Sequence, residues 1–194
     1  MIVAIRHGPV AADGICYGRW NPPSINPPEA DVDTILAGLA GLPTAVGHAT
    51  STAGGAVRIV SSPADRCRRV GARLAARFGL EVHEDTRIAE LSMGEWEGMP
   101  WRWIEEHDGG RLQLWMEQWE SAAPPGGESL ADLEARVRAA AEESAAVGPT
   151  IWITHAGVIR ALRVMLHSVE WSAAMQSRVQ HLAPETFLVG GRSS

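Results

Sequence analysis

Three short apolar runs constrain the fold of this 194-residue chain more than any other feature. They occupy residues 1–5 (MIVAI), 56–60 (AVRIV) and 150–154 (TIWIT), and each is rich in β-branched residues. Short apolar runs of this kind are typical of strands that are buried on both faces of a sheet. Polar residues follow each run at once, so the sequence predicts three buried strands with polar groups at their carboxyl ends.

Helical patterns separate these strands. Apolar residues recur at steps of three and four over 64–78, and Gly79 is placed to end that helix. Ser129 and Asp132 resemble a capping box, which predicts the start of a helix that reaches about residue 146. The other expected elements are helices over 31–41 and 158–167, short strands over 80–83 and 186–189, and a loop over 9–30. Strands alternating with helices predict an α/β fold, a three-layer α/β/α sandwich with a largely parallel central sheet.

The charge pattern excludes one class of partner. The chain carries 23 acidic and 17 basic residues, which gives a net charge of −6 and a pI near 5.6. Generic nucleic-acid binding relies on clustered positive charge, so no nucleic-acid partner is expected. All 17 basic residues are arginine. Biased codon usage is the plain explanation, while some arginines are candidates for phosphate binding because their forked donors match phosphate oxygens.

Targeting and membrane signals are absent from the sequence pattern. The start, MIVAIRHG, lacks the basic residues and long apolar run of a signal peptide, and no run approaches 18 apolar residues. The two cysteines, Cys16 and Cys67, are too few for a disulfide framework and are expected to be free thiols in a reducing compartment. These features predict a cytoplasmic protein with no membrane partner.

The predicted strand ends bring together residues that suit a small dianion. In a parallel sheet the carboxyl ends of the strands lie along one edge, which is where open α/β sheets bind ligands. Arg6 and His7 follow the first run, Arg66 lies in the helix after the second, and His155 follows the third. Arginine keeps its charge and offers forked donors, and a neutral histidine can act as a nucleophile.

A leaving alkoxide also needs a proton donor. Glu90, near a turn at Gly94, is the candidate acid, and Glu95 and Glu97 are the alternatives. The histidines lack a third ligand at the spacing of a known zinc site, so no metal is expected.

Five motifs occur in order between residues 6 and 162: RHG, SSPADRCRR, RIAELSMGEWEG, PPGGESL and THAGVIRAL. Together they resemble the histidine phosphatase superfamily, also called the phosphoglycerate mutase-like family. The stretch GICYGRW, with PPGGES and THAGVIRAL, is similar to the alpha-ribazole phosphatase branch. The resemblance implies a phosphoglycerate mutase-like fold for one domain over residues 1–194.

The resemblance also implies a role for each candidate. His7 would take the phosphoryl group as the nucleophile, and Arg6 and Arg66 would hold the phosphate oxygens. His155 would donate to the phosphate, and Glu90 would protonate the leaving oxygen and then help water attack. No cofactor is expected, because phosphoryl transfer needs mainly positioning and charge stabilisation, which two arginines and a histidine can supply.

Some positions depart from the family pattern or carry no motif. Pro9 and Val10 stand where many members have Glu and Thr, and Asp13 stands where many have a phosphate-contacting Asn. A carboxylate would repel phosphate, so Asp13 either points away or has another role. The remaining histidines are expected to be surface or core residues without a site role: His48, His83, His107, His167 and His181.

A tryptophan-rich segment around residues 95–125 is expected to form a cap-like insertion. Its helical stripe consists of Leu112, Trp115, Met116 and Trp119. A stripe at this spacing is usually core, so core packing is the prediction, and a pocket for an aromatic substrate base is the alternative.

Three functions remain open. The first is a metal-independent phosphomonoester hydrolase that acts through phosphohistidine. A small phosphorylated substrate such as alpha-ribazole 5′-phosphate is expected, and sugar phosphates or a phosphohistidine protein remain open as alternatives. The second is phosphoglycerate mutase-type transfer, although family mutases resemble longer chains with a shielding C-terminal tail and only 27 residues follow His167 here. The third is a non-catalytic phosphate-binding module. The sequence makes no prediction of the oligomeric state.

Overall fold

The computed structural model describes residues 1–40 and 57–190. Within these ranges one sheet contains the strands β1 (Ile2–Arg6), β2 (Arg58–Ser61), β3 (Val82–Glu84), β4 (Thr150–Thr154) and β5 (Pro184–Phe187). Their order across the sheet is β3-β2-β4-β1-β5. Strands β1 to β4 are parallel, and β5 pairs with β1 in the antiparallel direction. The three strands that end in polar residues, β2, β4 and β1, are therefore neighbours in the middle of the sheet.

Helices cover both faces of the sheet. The described ranges contain α1 (Pro28–Ala40), α2 (Asp65–Phe78), α3 (Trp101–Glu117), α4 (Leu130–Val147), α5 (Ala156–His167) and α6 (Trp171–Gln176). Side chains of β1 alternate between two cores: Ile2 and Ala4 pack with α4 and α5, whereas Val3 and Ile5 pack with α1 and α2. The three-layer α/β/α prediction is confirmed. Among the helices of the described ranges, none has the length and hydropathy needed to cross a membrane.

Local signals account for most element boundaries. Ser129 Oγ accepts from the Asp132 amide at 3.2 Å, and the Asp132 carboxylate accepts from the Ser129 amide at 3.1 Å, which completes the capping box of α4. Gly79 ends α2 with a φ of 65°, a conformation that glycine adopts without steric cost. Helix α1 begins earlier than predicted, inside the expected loop, because Pro28 suits a first helical turn. The predicted end of this helix at Gly41 and the predicted start of the second strand at Ala56 lie outside the described residues.

The tryptophan-rich helix α3 agrees with the core prediction only in part. Leu112, Trp115 and Trp119 are only half-buried, and Met116 is 61% exposed. Within α3 the fully buried residue is Ile104. It belongs to a small core cluster of Cys16, Met93, Trp96 and Ile104. Leu112 and Trp115 pack against this cluster and Trp119 against the core around α4 and α5, while Trp115, Met116 and Trp119 also line a cavity.

Candidate active site

The ends of β1, β2 and β4 place His7, Ser62 and His155 side by side. The His7 amide donates to Thr154 O at 3.0 Å, and the Ser62 amide donates to Ile153 O at 3.0 Å. These bonds continue the sheet pairing just beyond β1 and β2. The imidazole rings of His7 and His155 consequently stand with their centroids 5.2 Å apart and their planes 64° apart.

Arg66 joins the two histidines. It lies in the first turn of α2 and is 2% exposed. Its Nε donates to His7 Nε2 at 3.2 Å, and its Nη2 lies 3.3 Å from His155 Nδ1. The backbone carbonyls of Gly18 and Trp20 accept from Nη2 and Nη1, each at 2.7 Å, and so hold the guanidinium in place. A permanent positive charge therefore bridges two imidazole nitrogens.

Hydrogen bonds indicate which nitrogen of each histidine carries the proton. Gly8 O accepts from His7 Nδ1 at 2.6 Å, so Nε2 of the neutral ring presents its lone pair. His155 Nε2 lies 2.7 Å from Ser62 Oγ, which leaves Nδ1 as the acceptor that faces Arg66. Burial, followed by the charge of Arg66, holds the pKa of His7 well below its usual range. Burial, followed by the proximity of His7, does the same to the pKa of His155, so both rings are neutral near pH 7.

Arg6 adds a second positive charge. Its Nη1 donates to Val179 O at 2.9 Å, while its buried Nε has no hydrogen-bond partner among the described residues. Behind burial and Arg66, its charge also lowers the pKa of His7. A buried unpaired donor is costly, and an anion beside it would satisfy that donor.

Glu90 contacts the turn that follows His155. Its Oε1 accepts from the Leu91 amide at 3.0 Å and from the Gly157 amide at 3.1 Å. Gly157 stands two residues after His155, in the first turn of α5, so the carboxylate is held next to the end of β4. A Cβ at position 157 would come within 2.3 Å of Oε1, and glycine therefore leaves the space that the carboxylate occupies.

The two alternative carboxylates have other partners. Glu95 is exposed and pairs with Arg111 at 3.0 Å. Glu97 Oε1 accepts from the amides of Arg19 and Met93, each at 3.0 Å. Of the three carboxylates, Glu90 is the one that contacts the turn after His155.

Arg136, which sequence reasoning did not single out, holds the segment that carries Glu90. From α4 it donates to the carbonyls of Arg87 and Ala89, each at 2.7 Å, and to that of Glu90 at 3.1 Å. Its Nε and Nη2 also bind the Glu128 carboxylate at 2.6 and 2.8 Å. No local pattern signals this role, because the three carbonyls lie 46 to 49 residues away along the chain.

His181, expected to lie outside the site, contacts it instead. Its Nδ1 donates to His7 O at 2.6 Å, and the two rings stand 5.5 Å apart. The buried Asp31 lies close by, since its Oδ2 would be 2.0 Å from a Cβ added at Gly8. Burial lowers the pKa of His181. The backbone of the His7 loop is therefore held from the C-terminal side of the chain as well.

The remaining predicted positions lie away from the histidine pair. Asp13 is exposed, and Pro9 O accepts from the Ile25 amide at 3.0 Å within the loop. The other described histidines are all exposed: His83, His107 and His167. His48 lies outside the described residues. Across residues 1–40 and 57–190, no group of three or more His, Cys, Asp or Glu side chains is arranged to hold a metal ion.

A cavity of about 680 Å³ adjoins this polar cluster. Glu90, Gly18 and Gly157 form part of its wall on the side of the histidines. Four of the eight tryptophans line the rest: Trp101, Trp115, Trp119 and Trp171. The buried polar cluster and the aromatic cavity thus meet at Glu90.

These features define an α/β protein with a buried cluster of arginine and neutral imidazole groups beside a carboxylate, an arrangement whose charge suits a small anion. A family model described as the histidine phosphatase superfamily (branch 1) matches residues 41–186, and the chain belongs to this superfamily. The matched residues include Arg66, Glu90 and His155 and begin after His7.

Curated relatives are similar over part of the chain. The glucosyl-3-phosphoglycerate phosphatase of Mycobacterium tuberculosis (strain H37Rv) is 34% identical over 119 residues, which cover 56% of this chain and 53% of that protein. A bifunctional protein of the same organism is 35% identical over 85 residues, which cover 44% of this chain and 23% of that protein. The chain spans about half the length of the first of these relatives, and less of the second.

Solved structures share the fold. The alpha-ribazole phosphatase from Shigella flexneri has a TM-score of 0.76 at 20% identity and covers 93% of this chain and 86% of its own. The mycobacterial glucosyl-3-phosphoglycerate phosphatase in complex with inorganic phosphate has a TM-score of 0.66 at 26% identity and covers 89% and 81%. The predicted phosphoglycerate mutase-like fold is confirmed.

Proposed function

We propose that this protein hydrolyses phosphate monoesters without a metal, through a phosphohistidine formed on His7. One observation carries the proposal: the buried Arg66 bridges His7 Nε2 and His155 Nδ1, while Gly8 O keeps the proton of His7 on Nδ1. The reactive nitrogen is thus deprotonated and lies within reach of a positive charge that a phosphate requires.

The site suits a dianion. An incoming phosphate would take the donors of Arg66 that now face the two histidines, and would satisfy the unpaired Nε of Arg6. If the Ser62 hydroxyl then donates to His155 Nε2, the proton of the ring moves to Nδ1, from which His155 would donate to a phosphate oxygen. Two guanidinium groups and an imidazole would offset the charge that spreads over the equatorial oxygens, which is the main requirement of phosphoryl transfer.

The reaction takes two steps. In the first, His7 Nε2 forms a bond to phosphorus, the bond to the leaving oxygen breaks, and Glu90 gives that oxygen a proton. In the second, Glu90 takes a proton from water, the water oxygen bonds to phosphorus, and the bond to Nε2 breaks to release phosphate. Glu90 lines the cavity and accepts from the amide of Gly157, two residues after His155, which supports this role because a leaving group in the cavity would lie near its carboxylate.

Two substrates follow from the family and the relatives. Alpha-ribazole 5′-phosphate is supported by the GICYGRW, PPGGES and THAGVIRAL motifs, and glucosyl-3-phosphoglycerate by the partial similarity to the mycobacterial enzyme. We further propose that residues 95–125 act as a cap over one domain formed by residues 1–194. The half-buried side chains of α3 along the cavity support that assignment.

The test measures release of phosphate from p-nitrophenyl phosphate by purified protein in excess EDTA. Turnover is expected, and acid quenching without heating should trap an acid-labile phosphoprotein. His7→Ala should abolish both, whereas His83→Ala, at an exposed histidine, should retain both. Retained activity in His7→Ala would overturn the proposal. Exchange of phosphate between phosphoglycerate isomers without release would establish a mutase, and tight binding without turnover would establish a binding module.

A further inference from the structure

We infer that the cavity beside Glu90 binds an uncharged aromatic leaving group, so that the substrates are phosphate monoesters of alcohols carrying an aromatic ring system. This inference rests on the proposed function and names its substrate class. Of the two substrates named above, it favours alpha-ribazole 5′-phosphate, which has an aromatic base, over glucosyl-3-phosphoglycerate, which has an acidic sugar as its leaving group. The cavity of about 680 Å³ is in the range of 300–1,000 Å³ that is usual for small-molecule sites.

The walls of the cavity present aromatic and thioether groups from two helices. Trp115 and Trp119 belong to α3, and Trp171 begins α6. Met116 and Met175 also line it and are 61% and 45% exposed, so apolar surface faces the opening. Aromatic rings pack favourably on tryptophan faces and against methionine sulfur, and such contacts cover apolar surface that otherwise meets water.

The lining of the cavity disfavours an acidic leaving group because most of it is apolar. Its charged side chains are Glu90, Glu128 and Arg160. Glu128 is paired with Arg136 and Arg19, and Arg160 donates from Nε to Ala174 O at 3.1 Å. A carboxylate on the leaving group would therefore lose its water among mainly apolar walls, which is unfavourable.

The cavity is also oriented correctly toward the reactive atoms. Gly18 lines it, and the Gly18 carbonyl holds Nη2 of Arg66 at 2.7 Å. Glu90 lines it, and the Glu90 carboxylate is held by the Gly157 amide beside His155. An ester whose phosphate lies on Arg66 thus directs its leaving group past the acid into the aromatic walls.

The experiment compares two esters of similar intrinsic reactivity, 2-(2-naphthyl)ethyl phosphate and ethyl phosphate. Both release a primary alcohol, so the ratio of their kcat/KM values reports the cavity rather than the chemistry. Burial of a naphthyl group is expected to favour the first ester by about 10- to 100-fold. A third ester, 3-phosphoglycerate, should be no better than ethyl phosphate. A naphthyl-to-ethyl ratio near one, or a preference for the acidic ester, would overturn the inference.

A matched pair of variants ties the preference to the cavity. Met116→Asp places a charge on the cavity wall and should reduce the naphthyl-to-ethyl ratio about tenfold. Leu114→Asp changes a residue on the same helix that is 53% exposed and is not part of the wall, and it should keep the ratio. Both side chains are exposed, so neither change threatens the core. An unchanged ratio in Met116→Asp would contradict this placement of the leaving group.

The two proposals fail in distinguishable ways. Hydrolysis of all three esters without preference refutes the substrate class and leaves the phosphatase assignment intact. An absence of hydrolysis with every ester, including p-nitrophenyl phosphate, refutes the phosphatase assignment. Binding of phosphonates then tests whether the cavity takes an aromatic group. Naphthylmethylphosphonate should quench tryptophan fluorescence at concentrations at least tenfold lower than methylphosphonate needs to protect the protein from thermal unfolding, and equal concentrations would refute the aromatic site.

Discussion

The polar cluster and the aromatic cavity meet at one carboxylate but are built by opposite means. Arg66 and His155 are almost completely buried, at 2% and 0% exposure, and hydrogen bonds fix each of their polar nitrogens. Met116 on the cavity wall is 61% exposed and makes no directional contact of that kind. A buried polar group must be paired, so its position is set by its partners, whereas an apolar wall only needs a surface to cover. On the proposed function, the buried polar cluster carries out the chemistry and the exposed wall of the cavity selects the leaving group.

The largest loss of activity is expected when Arg66 is removed from the polar cluster. Arg66→Ala removes the charge that bridges the two histidines, and kcat/KM for p-nitrophenyl phosphate should fall by about 10⁴-fold. Arg68→Ala is the matched control, because Arg68 lies on the same helix, is exposed and pairs with Asp65. Steady-state kinetics on both variants decides the matter, and more than a tenth of the wild-type activity in Arg66→Ala would show that the bridge is dispensable.

Glu90→Gln tests the carboxylate at which the polar cluster and the cavity meet. An alkyl phosphate should react about 10³-fold more slowly, because its alkoxide needs a proton as it leaves. Nitrophenolate is a far more stable anion, so p-nitrophenyl phosphate should lose less than about tenfold in the same variant. Glu95→Gln, at an exposed carboxylate, should slow neither ester. An equal loss for both esters in Glu90→Gln would remove Glu90 as the acid.

A smaller effect is expected when Glu90 is displaced rather than replaced. In Gly157→Ala the new Cβ would lie 2.3 Å from Glu90 Oε1, so the carboxylate must move. A misplaced catalytic group commonly costs about 10²-fold, and the loss should again be greater for alkyl than for nitrophenyl esters. Gly110→Ala, where a Cβ meets nothing within 4 Å, is the control in the kinetic assay. Wild-type rates in Gly157→Ala would mean that the exact position of Glu90 is unimportant.

The smallest expected effect is on the stability of the protein, and it arises from the histidines of the polar cluster. Burial, followed by neighbouring positive charge or the other imidazole, holds the pKa values of His7 and His155 well below that of an unfolded histidine, about 6.5. Below pH 6.5 the unfolded chain therefore binds more protons than the folded one, and stability falls as pH falls. Each histidine contributes a slope of at most about 1.4 kcal/mol per pH unit.

Urea unfolding between pH 7.5 and pH 5 measures that slope. His7→Gln should flatten the dependence of the unfolding free energy on pH, whereas His83→Gln, at an exposed residue, should leave it as it is in the wild type. The same slope in His7→Gln as in the wild type would indicate that His7 becomes protonated in the folded state as readily as in the unfolded chain.

The fold was largely predictable because its signals are local. The strand over 150–154 has the predicted bounds, α2 begins one residue later than predicted, and α4 begins directly after its predicted cap, Ser129, since apolar runs and caps act within a few residues. Helix α6 was missed because its six residues are too few for a helical period. The stripe on α3 was correctly placed on one face, but periodicity does not tell whether that face meets a core or a cavity.

The same distinction separates the site residues. His7, Arg66 and His155 follow strand ends, so topology alone predicts that they lie near one another. His181 reaches His7 from 174 residues away, and nothing around it in the sequence marks that contact. Arg136 lies within an ordinary amphipathic helix, and its partners are known only once the segment before Glu90 is placed against it. Local sequence patterns therefore do not predict the role of a residue whose partners are remote in sequence.

The lysine-free composition has a practical consequence for chemical labelling. Arg136 uses all three guanidinium nitrogens on the Glu128 carboxylate and three carbonyls, and Arg66 uses all three on its own partners. A lysine ammonium offers its donors from a single point and cannot span such sets. At Arg68, which is exposed on the surface of α2, the exchange is harmless. Arg68→Lys would therefore introduce an ε-amine that no other residue of this sequence supplies, so an amine-reactive dye could be attached there without disturbing the site.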